Sequence, residues 1–280
     1  MSDHARDPTS RPSPLRVCLA GATGWAGSAL ALGIRAAADL ELVAAVSRSA
    51  AGSTLGDALA RPELVAPVYA TLDEALAIPS DVVFDYTHPD VARQHALAAL
   101  AAGRHVVVGT SGLDEDAYAE IDSAADKADR GALAVGNFAL TVVLLQKFAE
   151  MAARLVPSWE IIDYASASKP DAPSGTAREL AQRLGAISAS RLEVPIGDTL
   201  GEPATRGARL DGTQVHAVRL PGFVLGVEAI FGMPDQKLVL RHEAGSSAAP
   251  YVEGALLAIR EVGRLSGLHR GLDAVMDFGS

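Results

Sequence analysis

The stretch Arg16-Val-Cys-Leu-Ala-Gly21-Ala-Thr-Gly24-Trp-Ala-Gly27 decides the fold class of this chain. A short apolar run ends at a glycine, two more glycines follow, and a helical run begins at Ser28. In a dinucleotide-binding unit such glycines permit a tight turn, a close approach of the backbone to a pyrophosphate, and close packing of helix on strand. The spacing here is G-x-x-G-x-x-G rather than G-x-G-x-x-G. A glycine-rich turn in another α/β protein is the alternative, but the position after the first strand favours the dinucleotide-binding unit.

The end of the second predicted strand, Glu41–Ser47, indicates which dinucleotide binds. In units that bind NAD, an acidic residue at this point holds the ribose 2′-hydroxyl. This chain has Ser47 and Arg48 there instead. Because a hydroxyl followed by a guanidinium suits a 2′-phosphate, we predict NADPH in preference to NADH. The alternative is that Arg48 is an ordinary surface arginine.

Strands and helices continue to alternate as far as Phe138. Further strands are predicted over 81–87, 105–112 and 133–138, with helices over 90–102 and 115–128 between them. Apolar runs with little alternation indicate strands covered on both faces, and hence a parallel sheet. Ligands of such sheets bind beyond the carboxyl ends of the strands. We therefore expect three strand tips to line the nicotinamide end of the site: Thr87, Gly109-Thr110-Ser111 and Asn137-Phe138.

The second half of the chain predicts a smaller α+β domain. A long amphipathic helix over 140–156 has an apolar stripe and links the two domains; the stripe consists of Leu140, Leu144, Phe148, Met151 and Leu155. A strand over 159–166 follows, then a long loop over 186–212. Three more strands, joined by short turns, predict an antiparallel meander over 213–220, 224–231 and 237–243.

A last helix, over 249–265, is expected to return to the first domain. The fold class is thus α/β, with a Rossmann-type parallel-sheet domain and a smaller α+β domain. The first domain comprises residues 15–138 and 249–280, and the second comprises 139–248. Residues 1–14 are polar and proline-rich, which predicts a disordered tail and neither a signal peptide nor a membrane span.

The stretch Lys169-Pro-Asp-Ala-Pro-Ser-Gly-Thr-Ala177 is the predicted substrate site. Ser174-Gly175-Thr176 opens a helical run, Ala177–Leu184, that closes at Gly185, and Thr176 and Glu179 have the spacing of a capping box. A helix start offers unpaired N–H groups, hydroxyls and the positive end of a dipole, which together hold a carboxylate or phosphate. Lys169 can add a charge or deliver a proton. An ordinary capped loop is the alternative.

Composition narrows the class of protein. A chain of 280 residues with 49% hydrophobic content has ample material for a core. The formal charge of −10 argues against nucleic-acid and anionic-membrane partners, since both need a basic patch. The lone Cys18 allows no internal disulfide, which fits a reducing cytoplasm, and no residues have metal-ligand spacing. We predict a cytoplasmic protein whose partners are small molecules and copies of itself.

With these pieces in place, the chain resembles the dihydrodipicolinate reductase family of lysine and diaminopimelate biosynthesis over about residues 16–278. The segments that carry the resemblance are Gly21–Gly27, Asp85–Pro89, Gly109–Gly112, Gly136–Phe138 and, most specifically, Lys169–Ala177. The resemblance implies hydride transfer from NADPH or NADH to a cyclic imine-type carboxylate, 4-hydroxy-tetrahydrodipicolinate. It also implies a second domain that binds substrate and builds a homotetramer.

The resemblance implies roles for individual residues. Lys169 takes the place of the family's lysine proton donor, and Ser174, Gly175, Thr176 and Ser166 bind the substrate carboxylate. The cofactor contacts are Gly21, Ala22, Thr23, Gly24, Trp25, Ala26, Gly27, Ser47, Arg48, Thr87, Gly109, Thr110, Ser111, Asn137 and Phe138.

The chain departs from the family just before Lys169. Family members carry a segment of the form His-His-Arg-His-Lys, whereas this chain reads Ala165-Ser-Ala-Ser-Lys169. Ala165 occupies the position of the supposed catalytic histidine, and Ser166 occupies the position of the histidine next to it. One alternative is therefore a paralogous reductase acting on a less charged imine, enamine or carbonyl compound. The other is a nucleotide-binding regulatory protein with little catalysis.

Overall fold

The computed structural model describes residues 13–110 and 112–279, and two compact units account for them. The first unit runs to Phe138 and resumes at Tyr251, and the second is Ala139–Pro250. Residues 1–12 of the predicted tail lie outside the described residues. Within the described part, no helix combines the length and apolar character needed to cross a bilayer.

The first unit contains a seven-stranded sheet in the order β12-β6-β5-β4-β1-β2-β3, and every neighbouring pair is parallel. The strands are β1 Leu15–Ala20, β2 Leu40–Val46, β3 Val68–Tyr69, β4 Val82–Asp85, β5 His105–Val108, β6 Gly131–Ala134 and β12 Gly267–Arg270. The helices are α1 Trp25–Ala36, α2 Leu55–Leu59, α3 Leu72–Ala75, α4 Pro89–Ala101, α5 Glu115–Ala128 and α8 Ala249–Glu261. The parallel sheet with buried strands confirms the predicted fold class.

The return of the chain to this sheet includes a strand that sequence analysis missed. The predicted final helix ends at Glu261, and a 3-10 turn over Val262–Arg264 leads into β12. This strand pairs with β6 at the sheet edge. Its four residues are too few for a recognisable alternation, which is why the pattern gave no signal.

The second unit contains a five-stranded mixed sheet in the order β11-β10-β7-β9-β8. The strands are β7 Ser158–Ala165, β8 Ala208–Leu210, β9 Thr213–Arg219, β10 Leu225–Met233 and β11 Gln236–Ala244, and the helices are α6 Leu140–Ala153 and α7 Gly175–Gly185. Alternate residues of β7 are buried, and Trp159 and Ile161 pack in one core with Leu180 and Leu184 of α7. The helices therefore cover one face of this sheet.

The predicted three-stranded meander is wrong in one connection. β10 and β11 form a hairpin, but β7 lies between β9 and β10 and pairs parallel with β9. The segment after β9 crosses the end of β7, where the Leu220 amide donates to the Ala165 carbonyl. A short connection therefore joins strands that are not neighbours. The predicted loop over 186–212 also contains two 3-10 helices and β8, which pairs with β9 through an Asp211-Gly212 turn.

The apolar stripe predicted for α6 is not its buried face. Phe148, Met151 and Leu155 are 48%, 63% and 82% exposed. The buried face includes Leu145 and Ala149, with Val142, Val143, Gln146 and Ala153. Both faces of this helix are apolar at helical spacing, so the pattern could not distinguish them. The small side chains of Ala149 and Ala153 allow the helix to approach the sheet closely.

Candidate active site

The glycine turn after β1 has the shape that a dinucleotide requires. Gly21 has a φ of +78°, and a Cβ there would overlap the Tyr86 carbonyl. A Cβ on Gly27 would overlap the Gly21 carbonyl, so only glycine lets α1 lie this close to the strand. Gly24 is the N-cap of α1, with no side-chain cap and no acidic residue in the first turn. The helix start is thus unneutralised and suits a pyrophosphate.

The other residues of this turn divide between core and surface. Ala22 is fully buried, whereas Trp25 is 59% exposed and packs edge-on against Tyr251 with ring centroids 5.7 Å apart. The Thr23 hydroxyl lies 2.7 Å from that of Ser47 at the end of β2. Ala26 is half-buried on the first turn of α1. The two hydroxyls join the glycine turn to the predicted ribose position.

Arg48 follows Ser47 and is exposed. Within the described part of the chain, its guanidinium has no hydrogen-bond or ion-pair partner. The Ser47 hydroxyl before it also lies 3.3 Å from that of Ser49. Because no carboxylate among the described residues neutralises this cation, it is available to an anionic ligand.

At the carboxyl ends of β4 and β5, one buried carboxylate organises the predicted tips. Asp85 is 2% exposed, and its Oδ1 accepts from the Thr87 amide at 2.9 Å and from the Thr87 hydroxyl at 2.7 Å. The Thr110 hydroxyl lies 3.2 Å from the same oxygen. The His95 Nδ1 lies 2.6 Å from the second oxygen, Oδ2. Asp85 therefore ties together residues from β4, α4 and the end of β5.

Aromatic rings pack against the backbone at the end of β5. A Cβ on Gly109 would overlap the Tyr86 ring, and Tyr86 packs against Phe84 and Phe138. Burial raises the pKa of the Tyr86 phenol, whose oxygen has no hydrogen-bond partner among the described residues. The Phe138 side chain is only 2% exposed, so it belongs to this support.

Two predicted tip residues remain. Asn137 is half-buried. Ser111 lies outside the described residues.

In the second unit, the start of α7 is held by a buried aspartate. Asp163 of β7 is fully buried and accepts from the Ser174 amide at 2.7 Å and from the Ser174 hydroxyl at 2.6 Å. The Arg219 guanidinium donates to the same carboxylate at 2.7 Å and to the Asp171 carbonyl at 2.8 Å. Ser174 is the N-cap of α7, so the predicted capping box of Thr176 and Glu179 is wrong.

The reason for the different cap lies in the buried strand beneath it. Asp163 binds the amide and the hydroxyl of Ser174, which fixes that residue one position before Gly175. Glu179 instead pairs with Arg183, four residues further along the helix. Gly175 is the first helical residue, so α7 begins two residues earlier than the predicted Ala177.

The segment before α7 places Lys169 in an ion pair. Its Nζ lies 2.8 Å from Asp171 Oδ1, and Lys169 holds the pKa of that carboxyl below its ordinary value. The hydroxyls of Ser166 and Ser168 lie 3.0 Å apart. Ala165 is fully buried at the end of β7 and contributes no polar side-chain atom.

Sequence analysis missed four residues of these two networks: Asp85, His95, Asp163 and Arg219. A signal existed for the aspartates, because an acidic residue inside an otherwise apolar strand is rarely buried without partners. His95 and Arg219 had no such signal, since their partners lie 10 and 56 residues away.

The parallel sheet, the glycine turn and the mixed-sheet unit define a two-domain α/β protein of the dinucleotide-binding class. The family model for the dihydrodipicolinate reductase N-terminus matches residues 15–138, and the model for its C-terminus matches 141–276. The chain therefore belongs to the dihydrodipicolinate reductase family, as the sequence resemblance predicted.

Individual relatives agree with this assignment. A protein of Nocardia farcinica named 4-hydroxy-tetrahydrodipicolinate reductase is 39% identical, over 94% of this chain and 99% of its own length. A protein of the same name from Synechococcus elongatus is 37% identical over the same shares. A dipicolinate-bound dihydrodipicolinate reductase of known structure from Paenisporosarcina sp. TG-14 superposes with a TM-score of 0.83 at 29% identity, covering 94% of this chain and 100% of that one.

Proposed function

We propose that this chain is an NADPH-preferring reductase that transfers hydride to a cyclic imine-type carboxylate, 4-hydroxy-tetrahydrodipicolinate. The observation that carries the proposal is that this chain, a member of the family, combines two features. The glycine turn leads into α1 without a side-chain cap, and the start of α7 is preceded by Lys169. The first suits a dinucleotide and the second suits a carboxylate. Relatives that bear the reductase name span almost the whole chain.

In this proposal, the first unit binds the cofactor, which when bound supplies hydride from its reduced nicotinamide. The backbone of Gly21–Gly27 holds the pyrophosphate. Ser47 and Arg48 hold the adenosine ribose and its 2′-phosphate, and the exposed, unpaired guanidinium of Arg48 supports NADPH over NADH. NADH binding at least as tight as that of NADPH would contradict this preference. The tips at Thr87, Gly109 and Thr110 hold the nicotinamide end.

The second unit binds and protonates the substrate in this proposal. Gly175 and Thr176, at the positive end of α7, hold a carboxylate. The Ser174 amide and hydroxyl are already bound to Asp163, so we assign Ser174 to holding the helix start in place. Lys169 Nζ polarises or protonates the product, and Asp171 orders that ammonium in the free enzyme.

Turnover tests the proposal. NADPH oxidation is followed by absorbance while 4-hydroxy-tetrahydrodipicolinate is formed in place from pyruvate and aspartate semialdehyde. We expect Lys169→Ala to lower kcat by about 10²- to 10⁴-fold, the usual contribution of a general acid, with NADPH affinity unchanged. The exposed lysine of α5 gives the matched control, Lys127→Ala, which should keep wild-type turnover. Intact turnover in Lys169→Ala would remove Lys169 from the mechanism.

A different, less charged imine, enamine or carbonyl substrate is the second candidate, and Ala165 favours it. Ala165 is fully buried and cannot donate a proton or bind a carboxylate. The neighbouring Ser166 hydroxyl bonds to Ser168 and carries no charge. Tight NADPH binding without wild-type turnover would support this candidate. Ser166→His, at a half-buried position, should then restore part of the activity on the dicarboxylate.

We also propose that the chain forms a homotetramer in the cytoplasm through the uncovered face of its mixed sheet. That face carries Ile162 and Tyr164 of β7, which alternate with the buried residues. Val239 of β11 lies 42% exposed beside Ile230 of β10. Apolar side chains on an open sheet face support burial against other copies, and sedimentation of the purified chain measures the mass.

A further inference from the structure

Asp85 controls the direction in which two hydroxyls at the strand tips donate. A carboxylate accepts hydrogen bonds and donates none, and a threonine hydroxyl has one proton. The Thr87 hydroxyl lies 2.7 Å from Asp85 Oδ1, so its proton points inward. The Thr110 hydroxyl has two partners within reach, Asp85 Oδ1 at 3.2 Å and the Thr87 carbonyl at 3.3 Å. Both partners are acceptors, so this proton is used inside the protein as well.

His95 keeps the carboxylate in this orientation. Its Nδ1 lies 2.6 Å from Asp85 Oδ2, and its side chain is 20% exposed. The Thr87 amide donates to Oδ1 at 2.9 Å. Each oxygen of Asp85 thus has its own donors, and rotation of the carboxylate would break bonds on both sides. The carboxylate side chain is only 3% exposed, so water does not compete for these bonds.

The hydroxyl oxygens of the two threonines therefore offer only lone pairs to a ligand. Thr87 and Thr110 are half-buried, so each residue keeps part of its surface exposed. An oxygen whose proton is already used can only accept a further hydrogen bond. This part of the site consequently favours a ligand that brings an N–H donor and disfavours one that brings only acceptors.

We propose that Asp85 and His95 are positioning residues that make Thr87 and Thr110 acceptors for the NH2 group of the nicotinamide carboxamide. The inference rests on the proposed function, which brings the nicotinamide to these strand tips. It goes further by naming the group recognised and the residues that set the polarity. Neither Asp85 nor His95 needs to touch the cofactor.

Equilibrium titration tests the inference without turnover. The probes are NADPH and its acetylpyridine analogue, in which a methyl group replaces the carboxamide NH2. We expect the wild type to bind NADPH about threefold to tenfold more tightly, the range for one hydrogen bond between neutral groups. In Asp85→Asn the new amide can donate to a threonine hydroxyl and turn its proton outward. The preference should then fall to about onefold, mainly through weaker NADPH binding.

Two further variants keep the result interpretable. Asp90→Asn removes a carboxylate that is 85% exposed in the first turn of α4, the helix that carries His95. This variant should retain the wild-type preference for NADPH over the analogue. If Asp85→Asn does not fold, Thr87→Val with Thr110→Val removes both acceptors at nearly constant shape and should abolish the preference. Measurable NADPH binding with equal affinity for the analogue in the wild type would overturn the inference alone. No NADPH binding at all would overturn the proposed function and the inference with it.

Discussion

Each unit buries an aspartate near the end of a strand, and these two carboxylates leave opposite hydrogen-bonding groups for ligands. In the first unit, Asp85 uses the protons of Thr87 and Thr110 and leaves acceptors. In the second, Asp163 uses the amide and hydroxyl of Ser174 and leaves the next backbone groups of α7 at the positive end of the helix. The first arrangement suits a carboxamide, and the second suits a carboxylate.

The two aspartates also differ in the basic group beside them. Asp163 faces the guanidinium of Arg219, which is always charged, whereas Asp85 faces the imidazole of His95. Removing the guanidinium of Arg219 would leave the Asp163 carboxylate buried without its cation, which is costly. This difference leads to the largest effect that we predict.

Arg219→Met should lower the free energy of unfolding by about 3 to 5 kcal/mol, as expected when one member of a buried ion pair is removed. Asp163 is fully buried, and methionine retains the apolar stem of the arginine without its charge. Urea unfolding at neutral pH measures the loss. Arg264→Met, at an exposed arginine that pairs with the half-buried Glu261, is the matched control and should cost less than about 1 kcal/mol. Equal losses in both variants would show that Asp163 does not depend on Arg219.

The sequence predicted the elements whose signals are local. The helix Glu115–Ala128 was predicted with the bounds that the structure has, because Asp114 caps it and its apolar positions recur at helical spacing. The glycine turn was found for a similar reason, since its backbone conformation requires residues without a Cβ. The run Lys169–Ala177 also indicated a helix start, although the structure begins α7 at Gly175 and caps it with Ser174.

Features that depend on distant parts of the chain were not predictable from such signals. The insertion of β7 between β9 and β10 is a matter of pairing, and the turn at Pro221-Gly222 looks the same whether or not its strands are neighbours. The buried face of α6 depends on which side meets the sheet. The partners of Asp85 and Asp163 come from other elements, so the sequence showed the acids without showing what they hold.

Ser174→Ala distinguishes a role of Ser174 in holding the start of α7 from a role in binding the ligand. The hydroxyl caps α7 and donates to Asp163, so its loss should cost about 1 to 2 kcal/mol of unfolding free energy. Affinity for dipicolinate, measured by titration in the presence of NADPH, should change less than about threefold, since this proton is already used. Ser168→Ala, at an exposed hydroxyl, should leave stability unchanged. A much larger loss of dipicolinate affinity in folded Ser174→Ala would mean that Ser174 binds the ligand directly.

The smallest predicted effect compares how the two units respond to acid. Burial lowers the pKa of His105 in the first unit, with Arg130 adding to the effect, and burial lowers the pKa of His242 in the second. A histidine whose pKa is lower in the folded state binds protons more readily when unfolded, so stability decreases as the pH falls below about 6.5.

Nδ1 of His105 accepts from the Gly131 amide, and Nδ1 of His242 lies 3.0 Å from the Thr141 hydroxyl. Asparagine at either position keeps an acceptor near the place of Nδ1. His105→Asn and His242→Asn should each flatten the loss of stability between about pH 7 and 5, by less than about 1 kcal/mol because both rings are only partly buried. His269→Asn, at an exposed ring, is the control. Urea unfolding across this pH range measures the slopes. If His105→Asn keeps the wild-type slope while His242→Asn flattens it, the acid sensitivity belongs to the second unit alone.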